Sequence, residues 1–458
     1  MTAREALASI WRLAGLPEEA LDFVTLTGNE PVFPSSFAVG TAAQSTISAA
    51  ALAACELGHQ RGVPRQVVSV DMLHAAAECT GWFSLDGVAP DIWDKFSGLY
   101  RAADGWVRVH ANFAHHREGA LRLLGLDPST ATRADAEAAM LGRRALEFEE
   151  AAGKAGLVAF ALRSFDEWDA TAQAQALATQ PLLTIERIGD APPLPLPPLV
   201  AEARPLDGVR VLDLTRILAG PVASRALASL GAEVMLVNSP TLPNIDAIAD
   251  TSRGKRSVHV DLKTPQGKGV FSELLCGAHV MVQGYRPGGL ERLGFGAQAA
   301  AALRPGIVYV GLSAFGPHGP WTQRRGFDSL LQTAMGFNHA EGDAEGKGAP
   351  RAMPMQILDE ASGYLMAMGA SAALWRQQRE GGSWHVQVSL AQTATWLRSL
   401  GCVAGGLQLT RPAITPFIET SMSGFGVLAG VRPSAQLART PAGYQRASER
   451  PGTSLPVW

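Results

Sequence analysis

Short apolar segments alternate with helical patterns through the second half of the chain. Five of these segments have the length and apolar content of buried strands, namely 209–214, 233–237, 257–262, 279–283 and 307–313. Helical patterns separate them, beginning with 223–230. Strands that alternate with helices are typical of a parallel sheet covered on both faces. The pattern therefore predicts an α/β fold with a doubly wound large domain.

The first two hundred residues show a different pattern. Residues 42–80 are Ala-rich and helical, 104–125 predict a strand followed by an amphipathic helix, and 144–161 predict another helix. A proline-rich run at 191–198, APPLPLPP, predicts an extended, semi-rigid linker. The chain therefore divides into two parts at this linker.

One segment of the chain occurs twice. Thr41–Ala76 aligns with Asp359–Ala394 without a gap, and the identical pairs span a long helix, an arginine-containing turn and a strand. Ala-rich helices match easily by chance, but a helix, a turn and a strand in the same register are better evidence of a repeat. Thr41 stands opposite Asp359, so only the second copy carries a carboxylate at that position.

Composition and charge narrow the range of partners. The chain has 458 residues, 18% of them charged, and a formal net charge of −3, whereas nucleic-acid-binding faces are usually strongly basic. The four scattered cysteines form no CxxC pair, which favours buried thiols in a reducing compartment. The N-terminal segment has no continuous apolar run, and no stretch is long enough to span a bilayer. We expect a soluble, cytoplasmic protein with no nucleic-acid or membrane partner.

Several common sites are not supported by the residues present. The turn after the first strand, TRILAGPVAS, has one glycine and the second strand ends in Asn238, so both features of a dinucleotide site are missing. His110, His115 and His116 lie close in sequence, but no Cys, Asp or Glu completes a metal-ligand spacing, and no metal is expected. The cluster Arg253–Arg256 is either a solvated turn or a phosphate site, and its charge alone favours the turn.

Seven motifs of the second half resemble, in order, those of the class III CoA-transferase family. That family includes formyl-CoA and carnitine CoA-transferases and the related acyl-CoA racemases. The motifs begin with PLDGVRVLDLTRILAGP and end with ILDEASGYLMAMGASAALW, and they occupy 205–221, 231–240, 254–270, 278–295, 304–321, 325–337 and 357–375. Residues 42–76 and the segment DGWVRVHANF resemble the remaining part of the same family, so the chain resembles a permuted member.

The resemblance implies a domain order and an assembly. The implied parts are an N-terminal helical segment packing on the large domain (1–98), a small domain (99–165), a returning linker (166–204), a Rossmann-like CoA-binding large domain (205–395) and a C-terminal tail (396–458). It also implies an intertwined homodimer.

The resemblance assigns the chemistry to Asp359. In transferases of the family, an Asp in a D-x-x-x-G segment attacks the thioester of acyl-CoA, and Asp359 in LDEASG matches it. A carboxylate can form a mixed anhydride, expel CoA thiolate and be attacked again to give an aspartyl thioester. An Asp before an apolar helix is also a common N-cap, and both roles can hold together. The implied function is transfer of CoA from an acyl-CoA to a carboxylic acid, with CoA a substrate and not a tightly bound cofactor.

The same resemblance implies a set of CoA-contacting positions. They lie in the first strand–helix turn, in the KRS segment and after the fourth strand, and comprise Ile217, Leu218, Ala219, Lys255, Arg256, Gln283, Gly284, Tyr285, Arg286 and Arg292. Lys255, Arg256 and Arg292 suit phosphate charge, and Tyr285 suits adenine or pantetheine. The chain departs from the family at Leu218, where transferases often have a hydrogen-bonding side chain. It also has no glycine run in 92–105, where some members have a glycine-rich loop.

Two other functions stay open. An acyl-CoA racemase or isomerase needs an acid and a base on opposite faces of the α-carbon. Racemases of the family have a His before the Asp that is Asp328 here, whereas this chain has Phe327, although Glu360 or His339 could supply a base. A non-catalytic CoA-binding homologue is the second alternative, and the presence of Asp359 argues against it.

Overall fold

Four β-sheets and their covering helices make up the chain, and the computed structural model describes all 458 residues. The strands are β1 Val24–Thr27, β2 Val68–Asp71, β3 Phe83–Leu85, β4 Gly98–Ala102, β5 Gly105–Val109, β6 Ala159–Ala161, β7 Leu183–Gly189, β8 Arg210–Leu214, β9 Glu233–Asn238, β10 Lys255–His259, β11 Val280–Gln283, β12 Val308–Ser313, β13 Ser383–Ser389, β14 Ile418–Ser423, β15 Gly426–Val431 and β16 Gln436–Leu437. The helices are α1 Ala3–Ala14, α2 Val39–Gln60, α3 Met72–Glu78, α4 Ala114–Leu123, α5 Arg133–Leu141, α6 Ala145–Lys154, α7 Phe165–Asp169, α8 Ala172–Leu177, α9 Ala219–Ser229, α10 Ile248–Thr251, α11 Pro265–Cys276, α12 Ala297–Leu303, α13 Asp328–Ala334, α14 Phe337–Glu345, α15 Ile357–Glu380 and α16 Leu390–Ser399.

The largest sheet has seven strands in the order β10-β9-β8-β11-β12-β13-β7. Six strands run parallel, and β7 pairs antiparallel with β13. The expected α/β architecture with a large, mainly parallel sheet is confirmed. Four of the five predicted strands agree with the structure within one residue at each end, and β10 lies two to three residues earlier than 257–262. The sequence pattern did not predict β7, because its charged and half-buried residues resemble a polar linker.

The chain reverses direction across the sheet after its first three parallel strands. It runs from β8 to β9 and β10 on one side, and then crosses to β11 on the other side of β8. The connections that leave β8 and β11 therefore diverge, which opens a crevice at the carboxyl ends of these strands. Ligands of open α/β sheets bind in such crevices.

Alternate residues of the central strands face two separate cores. Val211 and Val308 belong to the core that contains α2, α9 and α15. Leu212 and Tyr309, the next residues along the same strands, belong to the core that contains α11 and α12. Strands that are buried on both faces need apolar residues at every position, which explains the continuous apolar runs.

The repeated segment has the same order of elements in both copies. α2 begins at Val39 and α15 at Ile357, each two residues before the matched Thr41 and Asp359. A strand follows each helix, and a second helix follows each strand, so the similarity continues into α3 and α16. α2 packs along α15 and is buried from Val39 to Gly58. β13 joins the large sheet, whereas β2 pairs with β1 and β16.

Residues 98–161 contain a second sheet with helices of its own, and this unit is called the small domain below. The antiparallel strands β4, β5 and β6 form a sheet, and α4, α5 and α6 complete a core of its own. This unit contacts the large sheet's helices through α13, which packs on β5 and β6.

The C-terminal segment covers the outer side of β10. The Ser454 N–H donates to the Ser257 carbonyl at 2.8 Å, and the Trp458 indole N–H donates to the Leu274 carbonyl at 2.8 Å. The tail beyond α16 also supplies β14 and β15, which form a sheet with β3. Segments from both ends of the chain therefore meet on the large domain.

No helix has both the length and the apolar composition that crossing a bilayer requires. All four cysteines are free thiols. Cys55 and Cys79 are buried as expected, but Cys276 and Cys402 are exposed, so the expectation of buried thiols is wrong for these two.

Candidate active site

The turn between β8 and α9 opens into the crevice with a strained backbone. Ile217 has φ of 78°. This left-handed conformation is rare for a β-branched residue, costs about 1–3 kcal/mol, and is concentrated at functional sites. Leu218 follows as the residue that precedes α9, and Ala219 is the first residue of that helix. The turn is therefore held in a costly conformation at the edge of the crevice.

A cavity of about 350 Å³ lies at the carboxyl ends of β8, β11 and β12. Four of the predicted CoA-contacting residues line it together, namely Ile217, Gly284, Tyr285 and Arg286. Its other walls come from the segment before α13 and from the start of α4 in the small domain. The cavity thus lies at the junction of the two domains.

The cavity is strongly cationic. Arg216, Arg286 and Arg325 line it, and none of the three forms an ion pair with a carboxylate. Arg324 also lines it, but its guanidinium is paired with Glu149 at 2.9 Å. Three guanidiniums without carboxylate partners suit the binding of phosphate or carboxylate groups. Sequence reasoning missed Arg216 and Arg325, whose position inside two matched motifs was the available signal.

Asp359 lies at the start of α15, next to a second carboxyl group. The backbone N–H groups of Leu358 and Asp359 donate to the Asp328 carboxylate at 2.7 and 3.0 Å. Asp359 is 8% exposed and Asp328 is fully buried. Burial raises the pKa of Asp359 well above its ordinary value, and the charges of Asp328 and Glu360 add to this effect. Burial also raises the pKa of Asp328 to about 6, although its hydrogen bonds oppose the shift.

A third carboxyl group follows on the same helix. Burial raises the pKa of Glu360 to about 8, and neither of its side-chain oxygens has a hydrogen-bond partner. The Arg225 guanidinium lies 3.9 Å from Glu360, but its main partner is Asp250. Asp328, Asp359 and Glu360 therefore form a cluster of buried carboxyl groups that favours protonation.

Phe327 separates the cavity from this cluster. Its ring lines the cavity, and Asp328 is the next residue. Asp359 is not among the lining residues. On the other side, α15 approaches α9 so closely that a Cβ at Gly363 would lie 2.6 Å from the Ala219 carbonyl oxygen. Asp359, one turn earlier on α15, is thereby held beside the start of α9.

A second cavity of about 290 Å³ adjoins the first. Tyr285, Pro287, Leu312 and Ser313 line both. Gln283, predicted to contact CoA, lines this second cavity, and its side-chain oxygen accepts the Tyr285 N–H at 2.8 Å. Gln283 therefore fixes the turn that presents Tyr285.

The three cations that were expected to hold phosphate lie elsewhere. Lys255 is fully buried, and its ammonium binds Asp213 at 3.0 Å and Ser224 at 2.7 Å. Arg256 lies toward the amino ends of the strands, where it contacts Glu233 at 3.3 Å and the C-terminal segment. Arg292 is exposed and lines neither cavity. The arrangement does not provide the phosphate contacts expected of Lys255 and Arg256.

The histidines of the small domain contact the cavity wall. His110 stacks on Phe327 with ring centroids 4.1 Å apart, and burial lowers the pKa of His110 to about 4. Arg325 donates to His116 at 2.8 Å, and burial lowers the pKa of His116 to about 3. No group of three His, Cys, Asp or Glu side chains is arranged to hold a metal ion.

A large part of the chain is similar in sequence to a known family. Residues 206–407 match CoA-transferase family III. An acyl-CoA transferase of Gibberella moniliformis is 31% identical over 376 residues, which cover 73% of this chain and 66% of that protein. A probable fatty acyl-CoA transferase of Mycobacterium tuberculosis is 37% identical over 211 residues, which cover 43% of this chain and 53% of that protein. The crystal structure of a CAIB/BAIF family protein from Brucella suis is 25% identical and has a TM-score of 0.38, covering 49% of this chain and 65% of that one.

The chain spans between about half and two thirds of the length of these two curated relatives. The matched residues 206–407 include the turn at Ile217, the segment at Tyr285 and the carboxyl groups of Asp328 and Asp359. The chain therefore belongs to the class III CoA-transferase family.

Proposed function

We propose that this chain moves CoA from an acyl-CoA to a carboxylic acid through a covalent intermediate on Asp359. The observation that carries the proposal is the position of Asp359, a buried carboxyl group at a helix start, beside a cavity with three guanidiniums that lack carboxylate partners. The names of the relatives, both acyl-CoA transferases, support it. The family resemblance also supports a doubly wound, Rossmann-like large domain and an intertwined homodimer.

The cationic cavity is the proposed site for CoA. Its arginines, Arg216, Arg286 and Arg325, would bind the phosphates, and Tyr285 would contact the adenine or pantetheine. Its volume of about 350 Å³ is near the lower end of ligand cavities. The pantetheine chain therefore has to pass Phe327 for the thioester to reach Asp359.

The proposed reaction uses Asp359 twice. Its carboxylate attacks the thioester carbonyl, which forms a mixed anhydride and releases CoA thiolate. The thiolate then attacks the aspartyl carbonyl, which gives an aspartyl–CoA thioester and releases the donor acid. The acceptor carboxylate attacks this thioester, which forms a second anhydride and releases CoA thiolate again. The thiolate finally attacks the acceptor's acyl carbonyl, which releases the new acyl-CoA and restores Asp359.

The protonation state of Asp359 controls the first step. Only the carboxylate is a nucleophile, and burial together with Asp328 and Glu360 keeps the pKa of Asp359 high. The rate of the first step should therefore rise with pH until Asp359 is ionised. The amino end of α15 favours this ionisation, because the helix dipole is positive there.

The test is the substitution Asp359→Asn. The amide keeps the shape of the side chain but cannot form the anhydride, so we expect CoA transfer to be abolished while CoA binding stays nearly unchanged. Transfer is measured as movement of isotope from a labelled acid into CoA thioester. Hydroxylamine added during turnover should modify the wild-type protein at Asp359, which mass spectrometry identifies.

Asp343→Asn is the matched control, since Asp343 is an exposed carboxylate on α14 that pairs with His339. It should transfer CoA at the wild-type rate. Near-normal turnover in Asp359→Asn, with deamidation to Asp excluded by mass, would remove Asp359 from the mechanism. Exchange of the α-hydrogen of a 2-methylacyl-CoA without transfer of label would favour a racemase instead.

A further inference from the structure

One buried guanidinium has no role in the mechanism described above. Arg108 lies in β5, where its neighbours Val107 and Val109 belong to the core of the small domain. Successive side chains of a strand point to opposite faces, so Arg108 and His110 share the face that points away from that core. Arg108 is 8% exposed and forms no ion pair. Its guanidinium lies over the ring of Trp93, 5.4 Å from the centroid.

This face of β5 is directed at the carboxyl cluster. His110 stacks on Phe327 with ring centroids 4.1 Å apart, and α13, which begins at the next residue, packs on β5. That next residue is Asp328, whose negative charge acts on Arg108. Asp328 in turn binds the N–H of Asp359 at 3.0 Å. Arg108 therefore lies on the small-domain side of the site where the covalent intermediate would form.

An acid substrate meets an electrostatic obstacle at this site. When the acid attacks, Asp359 carries CoA as a thioester, but the incoming carboxylate still has to approach Asp328 and Glu360, and like charges repel strongly where water is excluded. Two buried guanidiniums are near this cluster. Arg225 is already paired with Asp250, whereas Arg108 has no partner.

The free energy needed to bury the Arg108 guanidinium without a partner also favours the binding of an anion there. Burial lowers the pKa of Arg108 to about 10, because the charged form loses hydration without gaining a hydrogen-bonded partner. A carboxylate that arrived in this position would supply that partner and would be held by two parallel N–H···O bonds. Water or an alcohol would not compensate the charge in this way.

We infer that Arg108 binds the carboxylate of the acid substrate beside Asp359. The inference rests on the proposed CoA transfer and extends it, because it names the group that recognises the acceptor. The small domain thereby supplies the acceptor site, and the large domain supplies the nucleophile and the CoA site.

The test compares Arg108→Met and Arg108→Lys with the wild-type protein. The probes are short acids (formate, acetate, succinate and glutarate) with their CoA thioesters, and the pair that wild-type protein converts fastest is used. Arg108→Met should raise KM for the acid roughly 10- to 100-fold, the range for loss of a charged hydrogen bond, and leave KM for the acyl-CoA within about twofold. For Arg108→Lys, KM for the acid should lie between the values of the wild type and of Arg108→Met, since lysine keeps the positive charge but cannot donate two parallel hydrogen bonds.

Trapping at Asp359 separates this inference from the proposed function. With acyl-CoA and hydroxylamine but no acid, Arg108→Met should trap as much modified Asp359 as wild type, which also shows that it folds. Arg101→Met is the control, because Arg101 is an exposed residue of the adjacent strand that lies over Trp106.

An unchanged KM for the acid in Arg108→Met would overturn the inference while the proposed function stands. Equal loss of trapping and of acid binding would also overturn it, because Arg108 would then serve only the packing of the two domains. Absence of trapping in the wild-type protein would instead remove the proposed function itself.

Discussion

The carboxylate of Asp328 has two opposite effects on Asp359. It accepts the N–H groups of Leu358 and Asp359, which fixes the first turn of α15. Its negative charge also makes ionisation of Asp359 harder. The same side chain therefore positions the proposed nucleophile and, together with burial, raises its pKa.

This arrangement predicts a pH-dependent stability. The folded protein holds the pKa of Asp328 at about 6, above the ordinary value of 3.8, so it binds the proton more tightly than the unfolded chain. The stability contribution is therefore fully present below about pH 4 and is lost as pH rises through about 6, by on the order of 3 kcal/mol. Asp328→Asn keeps an acceptor for the two N–H groups and loses the one for the Gln332 amide, which lowers the stability at every pH, but it should remove this pH-dependent loss. Thermal unfolding between roughly pH 4 and pH 8 measures this loss of stability.

The comparison is between two curves of melting temperature against pH. The Asp328→Asn curve should fall less than the wild-type curve as pH rises from about 4 to about 8. Asp343→Asn, at an exposed position, should follow the wild type throughout. Parallel curves for Asp328→Asn and wild type would show that Asp328 is ionised without penalty.

A residue that is matched in sequence lines the cavity only if its side chain points toward it. A matched motif locates Lys255 on β10 but does not say where its side chain points, and the structure directs it inward to Asp213. Asp359 is different, because its matched motif predicts the start of a helix and the residue lies in the first turn of α15. Arg325 lies inside a matched motif, but Arg108 could not be predicted from the sequence, since its position near the site depends on how the small domain packs against α13.

The pair α9 and α15 sets the position of the proposed nucleophile. Gly363 lets the two helices approach, since a Cβ there would lie 2.6 Å from the Ala219 carbonyl oxygen and 2.7 Å from a methyl carbon of Val222. Neither atom can move far, because one is backbone and the other is in the core. The strained turn at Ile217 immediately precedes this contact.

Gly363→Ala should separate these helices. We expect destabilisation by about 1–3 kcal/mol, the usual effect of an overpacked core, and loss of most CoA transfer because Asp359 moves with α15. Gly269→Ala is the control, because Gly269 lies inside helix α11 at an exposed position where nothing lies within 4 Å of the added Cβ. That substitution should stabilise the protein by roughly 0.5–1 kcal/mol. Denaturant unfolding measures the stability of each variant, and the transfer assay measures its activity. Equal effects of Gly363→Ala and Gly269→Ala would contradict the packing argument.

Helices from the N-terminal part and from the second half of the chain pack together around α15. α2 is buried over nearly its whole length, and its apolar residues belong to the same core as α9 and α15. The order of helix, turn and strand within the repeat was predictable from sequence. The membership of β2 in a separate sheet was not, because pairing partners depend on distant segments.

A fragment that begins at Arg204 should therefore fail to behave as an independent domain. Removing α2 uncovers the apolar side of α15, so we expect aggregation or strong binding of a hydrophobic dye. Co-expression with residues 1–203 should restore a soluble complex, which is the control for damage by the cut itself. A fragment 204–458 that is monomeric, soluble and binds CoA like the intact chain would contradict this account.

The segment around Ser454 covers the exposed edge of the large sheet. β10 is the outermost parallel strand, and its free carbonyl and N–H groups could template pairing with another molecule. The Ser454 N–H occupies the Ser257 carbonyl, and Trp458 anchors the segment on the helix beside it. Residues 454–458 therefore occupy part of the strand edge at which another molecule could otherwise add a strand.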